Sequence, residues 1–80
     1  MVKIITILFL YVSLMFGAVN INSANSAQLQ TLYGIGPTKA QEILKYRKAH
    51  GGFKTVDELD NVKGIGPKMM IKLRPQVSIR

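Results

Sequence analysis

Gly34-Ile35-Gly36-Pro37-Thr38-Lys39 and Gly64-Ile65-Gly66-Pro67-Lys68 place two glycines, a proline and then donor side chains in the same order twice. This suits capture of an anion. Glycines reach backbone angles that side chains resist and add no bulk, so a phosphate can come close to the peptide plane. Amides at the start of the following helix then face the anion, and the helix dipole adds partial positive charge there. Thr38 and Lys39 after the first turn and Lys68 after the second supply a hydroxyl and two ammonium groups for neighbouring phosphate oxygens. Lys63 and Lys72 flank the second copy and widen the basic face.

Such turns must be held between helices, and the sequence spells those helices out. Leu29 aligns with Leu59, Leu32 with Val62, Ile35 with Ile65 and Ile43 with Leu73 without a gap, which marks a structural repeat. Asn25 with Gln28, and Thr55 with Glu58, are capping boxes at equivalent positions. Short helices are expected from Ser26 to Tyr33 and from Val56 to Lys63, each stopped by a glycine. Pro37 and Pro67 occupy the first-turn position that proline favours, opening second helices over Pro37 to Ala49 and Pro67 to Leu73. Ala40, Ile43, Leu44 and Arg47 keep helical spacing up to the stop at Gly51-Gly52. Ile35 and Ile65 are expected to point inward, and Phe53 to plug the joint between the halves. Val19 to Asn22 alternates apolar and polar residues, the pattern of an extended arm with Val19 and Ile21 packed.

Ahead of this unit, Lys3 precedes the uncharged apolar run Ile4 to Ala18, which has the layout of a secretory signal peptide. Residues 1–18 are read as a leader, with an uncleaved anchor as the alternative, and 19–80 as one small domain. Either reading puts the domain outside the cytoplasm. Cysteine is absent, so neither disulfides nor a lipid-modified cysteine can support it. A domain this small leaves little room for a deep enzyme pocket. The chain has eleven basic residues and four acids; without Lys3 the balance is ten against four, or +6, which points to a polyanionic partner.

Other reactive side chains have plainer roles. His50 beside Gly51 lacks a second ligand at metal-binding spacing and reads as structural. Asp57, Glu58 and Asp60 fall in the first turns of a helix, where acids offset the dipole, and no nucleophile or base accompanies them. Tyr33 and Tyr46 form no regular stacking platform and are expected to pack. No catalytic set, cofactor or metal is implied. A Gly-x-Gly turn can also be architectural or a protein-packing element. The lysines after both turns favour a phosphate instead.

The pattern Leu29-x-x-Leu32-x-Gly34-Ile35-Gly36-x-x-x-Ala40, with its second copy, resembles the helix-hairpin-helix motif. The wider string Val19 to Asn22, Tyr46-Arg47, Gly52-Phe53-Lys54 and Val62 to Gly66, behind a leader, is similar to the DNA-binding domain of ComEA-type competence proteins. That resemblance implies an all-α, tandem helix-hairpin-helix fold of the (HhH)2 kind. It implies an exported, non-enzymatic, periplasmic receptor that binds double-stranded DNA without sequence preference during DNA uptake in natural transformation. Phosphate contacts would fall on Gly34, Gly36, Thr38 and Lys39 in one hairpin and on Gly64, Gly66 and Lys68 in the other. Contact with DNA-uptake machinery and self-association on DNA stay open. The chain departs from strict symmetry, because Met69 and Met70 stand where the first copy has Lys39 and Ala40. Unequal side-chain contacts are expected from the two hairpins.

Overall fold

The computed structural model describes Ala18–Arg80; the expected leader, apart from Ala18, lies outside these residues. In chain order come a strand β1 (Val19–Asn20), helix α1 (Ser26–Leu29), helix α2 (Pro37–His50), a 3-10 helix (Val56–Asn61), helix α3 (Pro67–Leu73), a 3-10 turn (Arg74–Gln76) and strand β2 (Val77–Ser78). Two helix-turn-helix units therefore lie between two short strands.

The leading helices are tighter than expected. α1 ends at Leu29 and its equivalent is a 3-10 helix ending at Asn61, whereas short helices were expected to run to Tyr33 and Lys63. The cause is visible in the apolar spacing. Leu29, Leu32 and Ile35 recur every third residue, as do Leu59, Val62 and Ile65, and three residues per turn stacks such positions on one line. The backbone follows the same step: Leu32 N–H donates to Leu29 O at 3.1 Å and Ile35 N–H to Leu32 O at 3.1 Å. In the second copy Val62 donates to Leu59 at 3.0 Å and Ile65 to Val62 at 3.1 Å. In the first copy Asn25 Oδ1 accepts from Gln28 N–H and Gln28 Oε1 from Asn25 N–H, each at 2.8 Å. At the second start Glu58 accepts from the N–H groups of Lys54 and Thr55 at 2.8 and 3.2 Å.

α2 runs over 14 residues, one beyond the expected Ala49, and stops as expected where Gly51 turns left-handed at φ 71°. α3 has the expected bounds, and Pro75 follows within its continuing 3-10 turn. Pairwise burial of the repeat fills the core: Leu29 with Leu59, Leu32 with Val62, Ile35 with Ile65, Ala40 with Met70 and Ile43 with Leu73 are all buried. Ile35 and Ile65 thus point inward, and Phe53 is buried at the joint. Fully burying one such leucine or isoleucine contributes about 1.5–3 kcal/mol.

The all-α expectation needs one correction. β1 and β2 pair in parallel, Val19 opposite Val77 and Asn20 opposite Ser78, and Ile21 N–H continues the ladder to Ser78 O at 2.9 Å. An extended arm leaves its backbone groups unpaired, and the chain end satisfies them. The arm packs as anticipated, with Ile21 buried and Val19 half-buried. Asn22 ties it down, accepting from Phe53 N–H at 2.6 Å and donating to Phe53 O at 2.9 Å. Arg47 Nη1 also donates to Ile21 O at 3.0 Å and Ala24 O at 2.8 Å. A helix residue with no site role in the sequence reading thus clamps the arm.

Candidate nucleic-acid interface

The two turns are alike position by position. From Thr31 to Ala40 and from Asn61 to Met70 the burial class is identical at every step. Ala40 N–H donates to Gly36 O at 2.9 Å, and Met70 N–H to Gly66 O at 3.0 Å. The first glycine of each pair turns the chain, at φ 68° for Gly34 and φ 92° for Gly64. Other residues adopt these angles only at a cost.

The second glycine differs, which corrects one expectation. Gly36 (φ −98°, ψ −168°) and Gly66 (φ −121°, ψ 179°) are extended, a conformation open to any residue. A Cβ at either position would meet nothing within 4 Å. Neither folding nor packing within the chain calls for glycine there. Both are N-caps without a side-chain cap bond. The first-turn N–H groups of an α-helix lack intrahelical partners, and a glycine cap leaves them uncovered. α1, by contrast, is closed by Asn25.

The hairpins also touch one another reciprocally. A Cβ on Gly34 would lie 3.2 Å from Met69 Cε, and one on Gly64 would lie 3.3 Å from Lys39 Cε. Met69 and Lys39 are repeat equivalents, so each hairpin lays the same position of its helix over the other's turning glycine. Both turns thereby belong to one continuous surface. Lys39 and Met69 are half-buried by this packing, while Thr38 and Lys68 are exposed beside them. The expected inequality therefore has a structural form: the crossing side chain is cationic on one side and apolar on the other.

The flanking lysines fall in different settings. Lys63 is exposed and lines an open groove of about 230 Å³ with Glu42, Lys45, Tyr46, His50 and Asn61. Lys72 sits 5.4 Å from the centroid of the Tyr33 ring, a cation–π contact. Tyr33 was expected to pack, yet it is 50% exposed. Its N–H is held by Gln76 Oε1 at 2.9 Å, which presents the ring to solvent beneath Lys72. Tyr46 does pack, stacked 5.0 Å from Phe53, and His50 also stacks on it at 3.8 Å. His50 Nδ1 lies 2.9 Å from Tyr46 O, so the ring is taken up within its own helix. Glu58 Oε2 accepts from Tyr46 OH at 3.2 Å, and Asp57 pairs with Arg74 at 2.9 Å. These acids serve the fold. Lys45 was missed by sequence reasoning, and only its place with Lys63 in the lining of this groove draws attention to it.

Two uncapped helix starts, reached by equivalent glycine turns and packed across a pseudo-twofold, define a paired helix-hairpin-helix module. The family model described as "Helix-hairpin-helix motif" matches residues 16–78, and the chain belongs to that family, as a ComEA-like member. It is 39% identical over 62 residues to ComE operon protein 1 of Bacillus subtilis, covering 78% of this chain and 30% of that protein. An uncharacterised Haemophilus influenzae protein is 41% identical over 59 residues, 72% of this chain and 53% of the relative. The human endonuclease/exonuclease/phosphatase family domain-containing protein 1 is 37% identical over 59 residues, 74% of this chain but 10% of that protein. The chain thus spans between about a tenth and about half of these relatives' lengths.

Proposed function

We propose that this chain is a non-enzymatic module that binds double-stranded DNA without sequence preference, holding backbone phosphates at its two hairpins. The observation that carries this reading is the pair of N-cap glycines, Gly36 and Gly66, extended and facing open space where the fold itself has no use for glycine. An outside group that must approach the first-turn amides closely supplies the missing reason. At the 14-residue α2 the helix dipole adds to that attraction. Thr38, Lys39, Lys63, Lys68 and Lys72 surround the two turns with donors, and phosphate contacts of this kind position a duplex without reading bases.

The likeness to ComE operon protein 1 supports a role in competence, and we extend the proposal to export and DNA uptake in natural transformation. The apolar run Ile4 to Ala18 behind Lys3 supports export to the periplasm. Fractionation of cells carrying the tagged chain checks this part: retention in the cytoplasm defeats it.

The binding claim is tested by titrating unrelated duplexes at several salt concentrations. Affinities should agree across sequences, and log affinity should fall by about 0.9 per log unit of salt for each phosphate neutralised. Strong preference for one sequence, or affinity independent of salt, overturns the mechanism. Absence of binding at low salt instead favours a protein-packing role in the envelope. Incubation with plasmid and magnesium checks the non-enzymatic part, since any nicking contradicts it.

A further inference from the structure

The repeat generates two equivalent grooves, each between the second helix of one copy and the turn of the other. On one side Gln76 reaches Tyr33 N–H at 2.9 Å and Lys72 lies over the Tyr33 ring at 5.4 Å, so the chain's own side chains occupy the space. On the other side the equivalents of Gln76, Lys72 and Tyr33 are Tyr46, Glu42 and Lys63, and the space between them stays open as the groove of about 230 Å³. Tyr46 lines it without filling it, its ring stacked on Phe53 and its OH donating to Glu58.

Resting on the DNA-binding reading, we propose that this open groove holds one further phosphate of the bound duplex, between Lys45 and Lys63. Both lysines are exposed and line the groove. Their two ammonium groups outweigh Glu42, the one carboxylate among the lining residues, and Asn61 adds an amide donor at the same wall. Among the described residues Asn61 Nδ2 makes a single contact, to Tyr46 OH at 3.4 Å, which leaves a second hydrogen to donate. Lys63 directly precedes Gly64, so the groove adjoins the second hairpin turn. The first hairpin has no counterpart, because Pro75 stands at the position equivalent to Lys45. The duplex is therefore gripped over a longer path on the second hairpin's side, and that asymmetry fixes its orientation on the module.

The test uses the full chain and compares Lys45→Gln with Lys48→Gln. Lys48 is exposed on the same helix but lines a different concavity, with Asn22, Leu44, Arg47 and Gly51. Both variants remove one charge from an exposed position. Lys45→Gln should weaken duplex binding several-fold at low salt and lower the salt slope by about 0.9, with Lys48→Gln close to wild type and Lys45→Arg restoring the slope. Equal losses for the two glutamine variants would assign the effect to net charge and overturn the proposal. An unchanged slope for Lys45→Gln while Lys68→Gln still reduces it also overturns the groove, leaving the hairpin reading intact. If the wild-type chain fails to bind duplex at low salt, the hairpin reading fails first and the groove falls with it.

Discussion

The two hairpin turns agree to within about 0.1 Å in their backbone hydrogen bonds, yet they differ in nearly every side chain that faces outward. The first offers Thr38, Lys39 and the Tyr33 ring under Lys72, and the second offers Lys63, Lys68 and the open groove toward Lys45. Inward positions stay apolar in both copies, because Leu29 and Leu59, or Ala40 and Met70, fill one shared core. Packing keeps the copies equivalent; solvent lets them specialise.

The comparison breaks most severely in the core. Leu29→Ala and Leu59→Ala should each cost about 2–5 kcal/mol, read from urea or thermal unfolding, since both side chains are fully buried. Two separate unfolding transitions in either variant would mean that one copy folds without the other. Next come the turning glycines. Gly34→Ala and Gly64→Ala should each cost about 1–3 kcal/mol, because a side chain is forced to φ 68° or 92°. Gly36→Ala and Gly66→Ala should cost under about 1 kcal/mol, because an added Cβ meets nothing within 4 Å. Both should weaken duplex binding, because on the phosphate-binding reading the added bulk narrows the approach to the helix start. If those two bind DNA as the wild type does, the amides are not the contact.

A smaller effect sharpens the contrast between the crossing residues. Met69→Lys should steepen the salt dependence of duplex binding by about 0.9 and Lys39→Met should flatten it by the same amount. Their sum should be close to neutral in the double variant, as fluorescence anisotropy can measure. The smallest change is Tyr33→Ala, which removes an exposed cation–π contact worth about 0.5–1 kcal/mol and should leave the unfolding midpoint nearly where it was.

Much of this architecture is legible from residue types. The pairing of Leu29 with Leu59 and of Ile35 with Ile65, the proline starts and the Gly51 stop all follow from local rules, and each recurs in the fold. The 3-10 character was not read from the sequence, although the apolar residues at 29, 32 and 35 and at 59, 62 and 65 follow its three-residue step. Tyr33 was not legible, because its exposure depends on Gln76, 43 residues away, holding its backbone. The pairing of β1 with β2 joins the two ends of the domain, a contact no local pattern encodes.

The sequence by itself determined the repeat, its turns, its inward and outward faces and its excess of positive charge, because each depends on neighbours a few residues apart. Tertiary structure decided which glycines are needed by the chain and which are left free, since that depends on whether Met69, Lys39 or open space lies opposite. It also decided that Lys45 and Lys63 line one groove while Lys72 lies over Tyr33. Those placements arise when two copies fold against each other across a pseudo-twofold, and a linear pattern carries no distance between them.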